Sequence, residues 1–193
     1  MMGKGSKDAY GLALEGFRAG DPELMAMASG ARYQDGTFSL AYLSHPLRVT
    51  FPHGEVSCEG LGLTRNEEVL ALRYLAGASG LPPRSRWLSF LELPGGPHHY
   101  APFQKEALEP LAEAFAGKPA EFYDAVRAFG GSPYDAGDMG GLLPVYPKLT
   151  LAVIVWSSGS AAILFDQVAS TYLDTASLYV LGIEAAERLL GRP

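Results

Sequence analysis

The residues best suited to chemistry sit in and around one turn-rich stretch. His98 and His99 are adjacent in a Gly/Pro loop and are followed by Tyr100, so a ligand or a general base could come from this segment. Neighbouring positions do not share a helix face, however, and no third side chain stands at metal-site spacing. Solvent-exposed loop histidines are the plainer reading. Glu92 ends an apolar run just before Pro94-Gly95-Gly96, where a strand would deliver its side chain to a cleft. Arg73 interrupts an otherwise apolar helical pattern and needs a partner if it is buried, because an unpaired buried charge is costly. An ion pair of Arg73 with Glu92 or Asp166 would either anchor helix to sheet or present a guanidinium to a carboxylate or phosphate.

Other reactive types carry less. Asp135 and Asp138 lie in a Gly-rich stretch and could hold a cation weakly, though loop carboxylates are commonly just solvated. Cys58 has no evident base beside it unless a hairpin brings His45 or His53 close; a small buried apolar residue is the simpler role. The glycines do not form a phosphate-cradling pattern, and no nucleophile-elbow motif is present. Gly137-Asp138-Met139-Gly140-Gly141 lacks a strand-to-helix setting and is expected to be a flexible linker. Trp87, Trp156, Phe90 and Tyr74 suit a core better than a stacking platform.

Composition bounds these options. The 193 residues are 48% hydrophobic and 19% charged, a globular balance long enough for one domain with a sizeable core. A net charge of -6 argues against a nucleic-acid partner, since the sparse arginines at 73, 84 and 86 make no basic stripe. One cysteine excludes an internal disulfide and a cysteine-rich metal site. Met1–Lys7 lack an apolar signal-peptide core, and no apolar run is long enough to span a bilayer. A soluble, cytoplasmic protein with no membrane partner is expected.

The elements that must position these residues follow from periodicity. Residues 1–30 are expected to be a helical hairpin and 31–193 an α+β body. Tyr10, Leu14 and Phe17 share a helix face from about Ser6, and Asp21-Pro22-Glu23 opens a second helix. Phe38, Leu40 and Tyr42, then Leu47, Val49 and Phe51, alternate as a hairpin around Ser44-His45-Pro46, with an edge strand near Cys58. Thr64 to Glu67 is a capping box for a helix carrying Val69 to Leu75. Trp87 to Leu91 is a strand. Phe103 to Phe115 is helical with a kink or division at Pro110, and Ala120 to Phe129 is another helix. Ser132 to Leu143 has no period and is expected to be a long exposed loop. Leu149 to Trp156 and Ala161 to Asp166 form a buried hairpin around Ser157–Ser160. Asp166 can cap a short helix, and Leu178, Leu181, Ala185 and Leu189 make the stripe of the last. These spacings predict an α+β fold with a mainly antiparallel sheet of about five strands flanked by helices.

Several patches in this order carry a family resemblance. They are Ser29-Gly30-Ala31 with Tyr33, Leu72-Arg73-Tyr74-Leu75, and Trp87 through Gly96 with Tyr100 and Phe103. Gly130-Gly131, Pro144-Val145-Tyr146-Pro147, and Ile163 through Asp166 with Tyr172-Leu173 follow. Together they resemble the family called domain of unknown function 3786, found in anaerobic bacteria and archaea, over about Gly30 to Leu190. The Trp87–Gly96 patch is the most specific. The resemblance implies no established activity. It does imply a setting in redox or one-carbon metabolism, because some relatives carry an added cysteine-rich iron–sulfur segment that this chain lacks. Relatives also carry an acidic insertion where Ser157–Ser160 stands, and often histidine at the position of Arg73.

The function expected is a ligand-binding or accessory domain with a pocket between the Pro94–Tyr100 loop, the Asp135–Gly141 loop and the helix around Arg73. Its candidate residues are Arg73, Glu92, His98, His99, Tyr100, Asp138 and Asp166. A small molecule or a redox protein is the expected partner; cofactor and oligomeric state stay open. The alternatives are an enzyme using Glu92, His98 or His99 and Tyr100 in acid–base roles, and a protein-interaction subunit.

Overall fold

The computed structural model describes residues 8–192. Met1–Lys7, where the absence of a signal sequence and the helix start near Ser6 were expected, lie outside the described residues. Helix α1 (Ala9–Ala19) is N-capped by Asp8, whose carboxylate accepts from Gly11 N–H at 2.8 Å. Helix α2 (Pro22–Ser29) has Asp21 as N-cap and Pro22 at its first position, and Gly30 closes it in the left-handed region at φ 78°. Both helices pack on the helix Arg65–Gly77, α3.

Strands β1 (Arg32–Gln34), β2 (Thr37–Tyr42), β3 (His45–Thr50) and β4 (Val56–Cys58) form an antiparallel sheet in that order. The β2–β3 turn is Leu43-Ser44, not Ser44-His45-Pro46: Tyr42 pairs with His45, so His45 and Pro46 belong to the strand. Leu43 and Ser44 both adopt positive φ, 48° and 65°, the twist that a two-residue hairpin needs. This register sets Phe38 opposite Val49 and Leu40 opposite Leu47, putting the apolar alternation on one buried face. Strand β1 was not expected, although Asp35-Gly36, at φ 50° and 74°, is an Asp-Gly hairpin turn.

Helix α3 (Arg65–Gly77) starts at the Thr64 capping box and buries Leu70, Leu72, Tyr74 and Leu75. An irregular strap, 78–86, leads to β5 (Trp87–Ser89). The strand stops there because Phe90–Glu92 turns into a 3₁₀ helix. A second 3₁₀ turn (Gly96–His99) feeds α4 (Tyr100–Phe103), a π-helical stretch (Gln104–Leu108) and α5 (Glu109–Phe115). Pro110 does not divide this helix. Glu109 N–H bonds Gln104 C=O, five residues back, and the widened turn gives the proline ring room against the preceding carbonyls.

After α6 (Pro119–Ala128) come β6 (Ser132–Pro133) and β7 (Met139–Tyr146), where a long exposed loop was expected; only 134–138 is loop. Gly140 and Gly141 are buried strand residues, not flexible linker. A Cβ on Gly141 would lie 2.8 Å from Val126 of α6, so the missing side chain lets helix and strand approach.

Strands β8 (Leu149–Trp156) and β9 (Ser160–Asp166) make the expected buried hairpin, within a second antiparallel sheet of order β5-β9-β8-β7-β6. On one face Leu151, Val153 and Val155 join the main core. On the other, Ala152 and Ile154 are buried, Ile154 beneath Gly137 of the 134–138 loop, and the Trp87 ring reaches from the far edge to a centroid distance of 5.9 Å from Tyr134. Helix α7 (Thr175–Leu189), capped by Asp174, buries Leu178, Leu181, Ala185 and Leu189. The fold is α+β and antiparallel as expected, with its strands shared between two sheets. Leu43 N–H bonds Val145 C=O at 3.0 Å between the sheets. The rings of Tyr42, Tyr146, Tyr74 and Tyr172 then run in sequence through the interior.

Candidate functional site

Arg73 points from α3 toward the start of α7, where its Nη1 donates to Ser177 Oγ at 2.8 Å and lies 3.8 Å from Asp174 Oδ1. It therefore pairs with neither Glu92 nor Asp166. It borders a shallow cleft of 350 Å³ with Leu12, Gly16 and Tyr172. Glu92 is exposed and turned back on its own segment, accepting from Ser89 N–H at 2.7 Å and Ser89 Oγ–H at 2.8 Å. Those bonds, the backbone one foremost, hold its carboxyl below the usual range.

Asp166 is buried, and its carboxylate accepts from the N–H groups of Arg84, Ser85 and Val168. It does not cap the short helix as expected, because that 3₁₀ turn (Ala169–Thr171) has Val168 as its N-cap with no side-chain cap; Asp166 instead closes the turn after β9 and pins the 78–86 strap. Asp138 accepts from Ser157 N–H at 2.7 Å and so holds the short β8–β9 turn. It borders a separate hollow with Tyr123, Tyr134 and Asp135. Tyr100 faces yet another hollow, with Gln104, Glu109 and Ser160. The single pocket expected between three segments is thus several separate depressions. The acid–base group of Glu92, a histidine and Tyr100 is dispersed: Glu92 turns back to Ser89, and Tyr100 lines a different hollow from the histidines.

His98 and His99 do share a cleft, the largest of these at 510 Å³. Pro94, Gly95 and Pro102 line it on one side, and Thr175, Ala176, Tyr179 and Val180 of α7 on the other. Gly95, at φ 74°, starts the turn that aims the histidines there. Gly96 must be glycine, since a Cβ would sit 1.9 Å from Phe90 O. Thr175 Oγ–H donates to Pro94 O at 2.8 Å, tying the loop to α7, and Tyr179 O–H donates to Glu106 Oε2 at 3.0 Å. Burial first, then Glu106, raises the Tyr179 phenol. The sequence reading missed Thr175 and Tyr179. Their i, i+4 spacing beside the Leu178–Leu181 stripe was the available signal.

Cys58 is half-buried, its thiol pushed up to about 11 by burial and then by Glu67, which suits a packing role. Phe90 and Tyr74 are core, whereas Trp87 and Trp156 are only half-buried. Among the described residues no three His, Cys, Asp or Glu side chains cluster as metal ligands, and no helix is long and apolar enough to cross a membrane.

No curated protein and no solved structure matches the chain. A family model does, over residues 21–188, a span that runs from the cap of α2 to the last turn of α7 and includes every lining residue of the histidine cleft. The chain belongs to the family described as a domain of unknown function (DUF3786).

Proposed function

We propose that the chain is a ligand-binding domain whose site is the cleft between the His98–His99 turn and the first two turns of α7. One observation carries this reading: two loop histidines, a threonine and a tyrosine line a cleft otherwise walled by Pro94, Pro102, Ala176 and Val180. A mostly apolar concavity with a few fixed polar groups is the usual form of a small-molecule site. Dispersal of Glu92 and Tyr100 favours binding over acid–base catalysis. The setting is the anaerobic redox or one-carbon metabolism that the family resemblance implies, with the chain as a cytoplasmic accessory protein acting as a single domain.

The test is ligand-observed NMR with a fragment library on the whole chain and on Ala176→Trp, which fills the cleft from an exposed helix position. Fragments should bind the native chain and lose their signal with the variant, whose folding is checked by circular dichroism. Fragments that bind both proteins equally, or none that bind at all, would rule the cleft out.

A further inference from the structure

Resting on that reading, the geometry points to the class of ligand: we infer that the histidine cleft takes a compact apolar amine, bound as its ammonium ion. The inference comes from counting protons. Tyr179 commits its one hydroxyl proton to Glu106 Oε2, and Thr175 commits its one to Pro94 O. A carboxylate and a carbonyl only accept, so neither hydroxyl has a proton left, and each can meet a ligand in the cleft only by accepting. A ligand group that meets them must donate.

Charge agrees with this count. Among the described residues no lysine or arginine lines the cleft, and Glu106 accepts from the Tyr179 hydroxyl beside it. The amino end of α7 would ordinarily favour an anion. Here Asp174 occupies that end, accepting from Ser177 N–H at 2.7 Å. Partial burial opposes ionisation of Asp174, but the Ser177 hydrogen bonds and the Arg73 charge outweigh it, and its carboxyl stays below the usual aspartate range. The positive end of the helix is therefore already met. Pro94, Pro102, Ala176 and Val180 would cover the apolar body of the ligand, with the exposed His98 and His99 at the rim.

The experiment compares two probes of one shape and opposite charge, 2-phenylethylamine and 3-phenylpropanoate, by saturation-transfer NMR titration at neutral pH. The amine should bind about tenfold or more tightly than the acid. Glu106→Gln, at an exposed position, should erase most of that preference, and Tyr179→Phe should weaken the amine about fivefold or more. If the acid binds as well as the amine and Ala176→Trp removes both, the cleft is a binding site but the ligand class is wrong. If neither probe binds while library fragments do, the ligand class is again overturned. If nothing binds, both inferences fall.

Discussion

Arg188, in the last turn of α7, closes on Glu67, in the first turn of α3, across 121 residues of sequence. Its Nε donates to Glu67 Oε1 at 2.7 Å while Nη2 bonds Oε2, and both side chains are buried, at 7% and 0% exposure. Tyr42 O–H and Thr64 N–H supply two further donors to the carboxylate, and Arg188 Nη2 also bonds Gly62 O. The capping box of α3 thus doubles as the socket for α7.

Removing one partner of such a pair leaves the other buried and charged. Arg188→Met should cost about 3–5 kcal/mol in urea unfolding, far more than an exposed pair such as Arg65–Glu68 is worth. The double variant Arg188→Met with Glu67→Gln should recover part of that loss. A cost under about 1 kcal/mol for Arg188→Met would mean that the pair is not closed in solution.

Asp166 plays a comparable part through backbone donors. Asp166→Ala would strip the buried N–H of Val168 and the part-buried N–H groups of Arg84 and Ser85 of their acceptor. A loss of about 1–3 kcal/mol is expected, the cost of one unsatisfied buried donor at Val168, since the N–H groups of the exposed strap can turn to water. Amide exchange should speed up first at Arg84 and Ser85. Unchanged protection there would show that Asp166 does not hold the strap.

These networks mark the limit of what was legible in the sequence. Caps at Asp21 and Thr64 and the stripes of α3 and α7 were readable because each is encoded within a few neighbouring residues. Strand β7 was not, since Gly140 and Gly141 have poor strand propensity in isolation and are explained only by α6 lying across them. The site divided in the same way. The histidine turn was legible from its glycines and prolines. Its partner wall of Thr175, Tyr179 and Val180 belongs to a helix some 80 residues later, whose contact with the turn no local pattern encodes. Arg73 needed a partner, as its apolar surroundings required, but Ser177 and Asp174 supplied one in place of Glu92 or Asp166.

Acid sensitivity should trace in part to Asp174. Its carboxyl is held below the ordinary aspartate value of about 3.9 in the folded chain, so it favours folding above that value. That contribution disappears as pH falls through the lower folded-state value. Asp174→Asn keeps a side-chain cap for α7 and removes the titration. Its unfolding midpoint should therefore change less than the native chain's between about pH 5 and pH 2. Parallel pH profiles for the two proteins would remove Asp174 from the account.

Tyr146 gives the prediction of opposite sign. Its ring stacks on Tyr74 at 4.2 Å and lies 5.2 Å from Tyr42, fully enclosed, yet its hydroxyl has no hydrogen-bond partner among the described residues. Burial foremost, then the charge of Glu67, drives its phenol well above the ordinary range, so it stays neutral and gains nothing by ionising. A buried hydroxyl without a partner costs about 1–3 kcal/mol, whereas the ring alone would keep its stacking and its apolar contacts. Tyr146→Phe should accordingly leave stability unchanged or raise it by about 1 kcal/mol, against the usual direction for a core substitution. A urea midpoint that falls by the equivalent of about 1 kcal/mol or more would show that the hydroxyl is satisfied in solution. Tyr42→Phe, which removes a donor to the buried Glu67 carboxylate, should destabilise by about 1.5–3 kcal/mol. The two tyrosines sit side by side with the same burial, and only the partner of the hydroxyl separates their expected effects.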